Sequence, residues 1–193
     1  LQFKFGNNYF NFTKVGFISG LLNYNIAKVI SEYTDNLTFM DPIYENGIPK
    51  FLNSIKDLEM YAKGVHDVLD WLPSKRLASS TLPIKKWNEY IVKKAIQKAN
   101  ILVVPAHDFY EYLKDCSLEE LGGKTIITAT AYDDRIQFLQ ERGVYVVIDC
   151  TPKILEQVVG FNVLEAMIAA ALDKPLDEIT EDDLLEVISE QRM

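Results

Sequence analysis

Short apolar runs alternate with stretches of helical periodicity along most of this chain. Lys14 to Gly20 (KVGFISG) is an apolar run closed by Ser-Gly, the signature of a strand buried on both faces. Asn23 to Thr34 follows, with Ile26, Val29, Ile30 and Tyr33 at helical spacing. Leu37 to Met40, closed by Asp41-Pro42, predicts a second strand. The regular alternation then breaks. Pro49 to Leu72 predicts a long helix whose apolar face carries Phe51, Leu52, Ile55, Leu58, Tyr61, Val65, Val68 and Leu69. Pro73 to Pro83 has little periodicity and predicts a loop, and Ile84 to Ala99 returns to helix.

Alternation resumes at Ile101. ILVVPA predicts a strand, Asp108 to Leu113 a short helix, and Ser117-x-x-Glu120 a capping box for one more turn. Thr125 to Ala131 is a fourth strand, Asp133 to Glu141 a helix ended by Gly143, and Tyr145 to Asp149 a fifth strand. Phe161 to Leu172 is an Ala-rich helix, and Thr180 caps an acidic helix reaching Ser189. Five such strands, each followed by helical sequence, predict an α/β fold. Its centre is a mainly parallel five-stranded sheet with helices on both faces, in three α/β/α layers.

The opening segment, LQFKF-GNN-YFNF, predicts a hairpin turning at Gly6-Asn7-Asn8. Such a hairpin is marginal alone, so residues 1–13 are expected to be the remnant of a preceding region, and the chain the C-terminal part of a longer protein. Residues 14–193 are then one α/β domain with a helical insertion at about 48–99.

The 193 residues carry 20 basic and 28 acidic side chains, a formal net charge of −8. That sign speaks against a nucleic-acid partner. No apolar run approaches the roughly 18 residues of a membrane span, so no membrane partner is expected. Two cysteines make no disulfide framework and fit a reducing, cytoplasmic setting. Cys116 and Cys150 read as inert thiols, and the two histidines and two cysteines have no zinc spacing. Lys85, Lys86, Lys93, Lys94 and Lys98 make one basic helix, read as a solvated face.

In an open α/β sheet, ligands bind beyond the carboxyl ends of the strands. Those ends carry Ser19, Gly20 and Asn23 after the first strand and Asp41 after the second. His107 and Asp108 follow the third, Thr128 and Thr130 the fourth, and Asp149 and Thr151 the fifth. Gly160 and Asn162, at the next helix start, could close the rim. The expected site therefore gathers Thr128, Asp149 and Thr151 into one cleft with Ser19 and Gly20. The same residue types also end strands and cap helices. His107-Asp108, directly after a strand, is the local acid–base candidate, whereas His66 lies within a helix and reads as structural. Gly20-Leu21-Leu22-Asn23-Tyr24-Asn25 has one glycine where a dinucleotide fingerprint has three, while Asp41 stands about twenty residues on, where an acidic residue would bond a ribose.

The run GKTIITATAYDDRIQFLQERGVYVVIDCTP (Gly123 to Pro152), the helix GFNVLEAMIAAAL from Gly160, the Asn46-Gly47-Ile48-Pro49 segment and the His107-Asp108-Phe109-Tyr110 turn together resemble bacterial proteins of the quinate 5-dehydrogenase type. The resemblance spans most of the chain. It implies a Rossmann-like domain and a nicotinamide cofactor, NAD or NADP, in a quinate/shikimate dehydrogenase-like oxidoreductase. It also places the catalytic Lys/Asp pair in an N-terminal substrate domain outside this sequence, so this chain alone is expected not to turn over quinate or shikimate. The competing expectation is a non-enzymatic small-ligand-binding or regulatory module of the same fold. Under either, the partner is a small-molecule or nucleotide ligand.

Overall fold

The computed structural model of the chain describes residues 6, 9–69, 82–107, 109–151, 153–154, 157–158, 161–180 and 182–183. The five anticipated strands form one sheet: β1 (Val15–Phe17), β2 (Leu37–Phe39), β3 (Ile101–Val103), β4 (Thr125–Thr128) and β5 (Val146–Asp149). All pairings are parallel and the order is β2-β1-β3-β4-β5. The helices of this unit are α1 (Tyr24–Ser31), α2 (Asp41–Asn46), α3 (Ile55–Leu69), α4 (Leu82–Lys98), α5 (Phe109–Leu113), α6 (Leu118–Leu121) and α7 (Asp133–Glu141). They make the fold a three-layer α/β/α of Rossmann-like type.

Alternation along each strand divides the core into two layers. Val15, Phe17, Leu37, Phe39, Ile101, Val103 and Ile127 pack with α1 and with Leu58 of α3. Leu102, Val104 and Ile126 face the other way, against Val92 and Ile96 of α4, Leu113 of α5, Leu121 of α6 and Leu139 of α7. Gly16 lies in β1 on that second side. A Cβ there would stand 3.3 Å from Ala99 Cβ and from Leu102 Cδ1, so the small residue lets α4 approach closely. The chain leaves β1 toward β2 on one face and returns past β1 to β3 on the other. This is the consequence of keeping every crossover the same hand.

Several helix boundaries differ from the sequence pattern, each for a local reason. The helix expected from Pro49 begins at Ile55, because Leu52 instead exchanges backbone bonds with Phe39 and closes the edge of β2. Ser54 then supplies the cap, its Oγ accepting from the Asp57 N–H at 3.1 Å. Asp41-Pro42 does not simply stop a strand but opens α2, with proline in its first turn and Gly47 (φ 69°) as its left-handed cap. Pro83 likewise falls inside the first turn of α4. The Ser117 capping box is present in full, and Gly143 (φ 69°) ends α7 as expected. Among the described residues, α2 and α3 are additional to a simple crossover, since α4 is the helix that the return to β3 requires.

Tyr9 to Phe12 form turns rather than an extended strand, with the Tyr9 N–H donating to the Gly6 carbonyl at 3.1 Å and Phe10 buried in the α1 layer. The first arm of the expected hairpin, residues 1–5, lies outside the described residues. So do most of the expected loop before Pro83 and the end of the acidic helix, although Thr180 does accept from the Asp183 N–H at 3.3 Å.

The chain divides into two compact units, Leu1–Asp149 and Cys150–Met193, where the sequence pattern suggested one domain from residue 14. The second unit contains β6 (Lys153–Ile154) paired antiparallel with β7 (Gln157–Val158), then α8 (Phe161–Leu172) and a 3-10 turn at Leu176–Glu178.

Lys124, at the start of β4, is buried, and its ammonium donates to the carbonyls of Gln97 (3.0 Å) and Ala99 at the end of α4. It satisfies orphan carbonyls and the negative end of the helix dipole together. Lys124→Met should lower the free energy of unfolding by about 1.5–3 kcal/mol in urea titrations, the range for bonds to a charged donor. A change within about 0.5 kcal/mol, the ordinary surface effect, would show that the contact contributes nothing.

Candidate functional site

The strand order changes direction between β1 and β3, which is where an open α/β sheet places its ligand crevice. The loop after β1 is organised by one buried carboxylate. Asp41, fully buried at the start of α2, accepts from Gly20 N–H (2.9 Å), Leu21 N–H (2.9 Å) and Ser19 Oγ (3.1 Å). Ser19 Oγ in turn accepts from Leu22 N–H at 3.3 Å, and Asn23 Nδ2 donates to the Ser19 carbonyl at 2.9 Å. The donors that a phosphate would meet in a dinucleotide loop are thus engaged by the protein's own side chains. Asp41 stands at the position the ribose pattern requires but turns inward.

Gly20 also has a packing role. A Cβ on it would lie 2.4 Å from Phe39 Cδ1 and 2.8 Å from Leu58 Cδ2, so its missing side chain admits the ring of Phe39 and α3. Burial pushes the Asp41 carboxyl above its usual range, against the three donors that pull it down.

The neighbouring strands contribute a second group of residues. His107, exposed, follows β3, the strand that pairs with β1 through Phe17 and Val103. Thr128 is buried at the end of β4, its Oγ1 donating to the Ala129 carbonyl at 3.2 Å, and it is registered against Asp149. Thr130 adopts φ 60°, an unusual backbone for a β-branched residue and a form of local strain found at binding sites. Arg135, in the first turn of α7, donates Nη1 to the Thr130 carbonyl at 3.1 Å and to that of Ala129 at 3.5 Å. Its guanidinium lies 4.9 Å from the Phe109 ring centre and 5.8 Å from that of Tyr132. Tyr110 donates to Asp134 beside it, which holds the Asp134 carboxyl below its ordinary value.

The single cleft expected from the sequence is therefore redrawn. β3 stands between β1 and β4, and β5 is the edge strand, three positions or roughly 14 Å from β1. Ser19, Gly20, Asn23 and His107 share the β1/β3 edge, Thr128 and Thr130 adjoin it, and Asp149 belongs to the far edge. Thr151 lies in the second unit. Asp108, Gly160 and the side chains of Asn162 and His66 lie outside the described residues. Burial pushes the Cys116 thiol up to about 11, leaving it protonated at neutral pH, whereas Cys150 is exposed. Arg135 carried no strand-end signal. An arginine two residues into a helix that follows a strand and a Thr-Ala-Tyr turn was the available clue.

Asp41→Asn would turn an N–H₂ toward the Gly20 N–H and should cost about 1–3 kcal/mol. Because the folded carboxyl titrates above the unfolded one, the folded state holds its proton more tightly. Wild-type stability from this group falls as pH rises between the two values. The gap between wild type and Asp41→Asn should then widen from pH 7 toward pH 4 in paired denaturation curves. A narrowing gap would contradict the burial effect. Gly20→Ala should destabilise by about 1–3 kcal/mol through overpacking against Phe39.

Comparison with curated proteins and with solved structures finds no match for the chain. The family model described as Domain of unknown function (DUF8754) matches residues 2–193. By that match over almost its whole length, the chain belongs to the DUF8754 family.

Proposed function

We propose that this chain is a small-ligand-binding or regulatory module of Rossmann-like fold, taking a nucleotide or small anionic metabolite at the carboxyl edge of β1, β3 and β4. The observation that carries the reading is Arg135. Its guanidinium is half-buried, anchored through Nη1 to two carbonyls and backed by Phe109, beside the strained Thr130. A guanidinium fixed in this way is preorganised for a carboxylate or phosphate. His107 at the adjoining β3 end supplies a second polar group for the same ligand.

The dehydrogenase reading, with NAD or NADP as cofactor, rests on the sequence resemblance. A docked dinucleotide wants the N–H groups of the β1–α1 loop, and those meet Asp41 and Ser19. Binding without turnover is for that reason the preferred reading, and His107 is a contact residue rather than a catalytic one.

Thermal-shift titrations with AMP, NAD(H), NADP(H), quinate and shikimate test it. At least one anion should stabilise the protein by about 2.7 kcal/mol at a hundred times its dissociation constant. Arg135→Ala should weaken that ligand about tenfold or more, the equivalent of one lost charged hydrogen bond. No stabilisation by any of them, or affinity indifferent to Arg135→Ala, would count against the site. Quinate or shikimate oxidation with either nicotinamide cofactor would favour the dehydrogenase instead.

A further inference from the structure

Helix α4 presents a face that the core does not use. Val92 and Ile96 are buried and pack inward. On another side of the same helix, Ile84, Trp87 and Tyr90 recur at three-residue spacing and are exposed, Trp87 and Tyr90 by 54% each. The two rings stand 5.8 Å apart, centre to centre, and form one aromatic patch. A helix on the surface of a globular protein carries its apolar residues on one stripe and polar residues opposite. A second stripe, rich in aromatic area, is the mark of a surface made to be covered. The patch adjoins a groove of about 700 Å³, to which α4 contributes Tyr90, Ile91 and Lys94, and the rest of the fold Phe51 and Lys14. None of these residues belongs to the strand-end site.

The helix is also cationic. It holds five lysines and one carboxylate, Glu89, in a chain of net charge −8, and all five lysines are exposed. Lys98, in the last turn, suits the negative end of the helix dipole, and solvation together with the dipole accounts for it. Lys85 and Lys86 are different. They stand at the amino-terminal end, where the dipole disfavours cations, and the first turn holds no acidic residue to offset them. They directly precede Trp87. Lys94, its ammonium 5.9 Å from the Tyr90 ring centre, stands at the other end of the patch. Lysines set against their own helix's field, on both sides of exposed aromatic rings, complement carboxylates that come from outside.

We propose that this face of α4 docks an acidic segment of another protein, an amphipathic helix whose aliphatic side chains cover Trp87 and Tyr90 while its carboxylates meet Lys85, Lys86 and Lys94. Apolar anchors at helical spacing, flanked by complementary charge, are the usual terms of helix recognition. The class of partner follows from where the charge lies. A nucleic acid or an anionic membrane extends its negative charge well beyond one helix and would face the rest of a chain with 28 acidic side chains. A short acidic segment meets the helix alone. The surface is separate from the anion site proposed at the strand ends, and either can stand without the other.

The test uses the whole chain at about 0.15 M salt, where screening beyond roughly 8 Å removes most of the general repulsion between two acidic molecules and leaves the local pairs. A fluorescein-labelled peptide of four Glu-Glu-Leu-Leu units, followed by fluorescence anisotropy, should bind saturably. The same peptide with serine for leucine, and a third with lysine for glutamate, should each bind at least about tenfold more weakly. Trp87→Ala and the pair Lys85→Glu, Lys86→Glu should each weaken the first peptide by a similar factor. No saturable binding up to the peptide's solubility limit, affinity indifferent to its leucines or its glutamates, or affinity unchanged by Trp87→Ala would overturn the proposal. Tighter binding of a DNA duplex or of phosphatidylserine vesicles through the same lysines would overturn it in favour of a polyanion. Self-association of the chain abolished by the lysine pair would overturn it in favour of a second copy. The three-peptide comparison on the unaltered protein decides the matter even if a variant does not fold.

Discussion

The carboxylate of Asp41 ties the end of β2 to the loop that follows β1, and much of the carboxyl edge of the sheet depends on it. A buried carboxylate is costly unless its oxygens are hydrogen-bonded. Here two backbone N–H groups and one hydroxyl supply the bonds, and no basic side chain is among them. The arrangement requires the loop to pass close to the start of α2. That close passage presses Gly20 against Phe39 and Leu58, where no side chain would fit. One charge therefore sets the loop path, the identity of a glycine and the chemistry that the loop can still offer.

With the β1–α1 donors engaged, the anion site proposed above lies further along the sheet edge, toward β3 and β4. The order β2-β1-β3-β4-β5 sets β3, which His107 follows, between β1 and β4 with the turn that ends it. Arg135 joins that turn to Phe109, after β3, through carbonyl bonds and ring contact. The left-handed Thr130 lies within this bracing, which keeps a residue in a conformation it would not choose alone.

The motif that most strongly suggested a known enzyme type has a structural explanation in this fold. In Gly123-Lys124-Thr125-Ile126-Ile127-Thr128, the lysine closes the end of α4 and the next four residues are buried strand. The pattern is that of a core strand whose preceding residue caps a neighbouring helix. Packing demands can produce such a run without any shared chemistry, so its recurrence speaks to fold before activity.

The five strands, their parallel pairing and most helices were legible because burial on two faces forces continuous apolar runs, and because amphipathic helices repeat at 3.6 residues. Ser117, Gly143 and Thr180 were legible as caps, since capping is a local interaction between residues a few positions apart. Strand order was not. Nothing within Tyr145–Asp149 marks β5 as an edge strand far from β1, because order is decided by crossovers whose direction depends on long-range packing. The start of α3 was missed for a similar reason: Leu52 fits a helical face by spacing, but pairing with the edge of β2 outweighs that local preference. Asp41 was singled out by its position, yet whether its carboxylate faced a ligand or the loop depended on contacts twenty residues away. Arg135 left no periodic trace at all. The sequence determined the layers of this protein through local periodicity, and only the tertiary structure decided which polar groups meet at its edges, because those meetings join segments far apart along the chain.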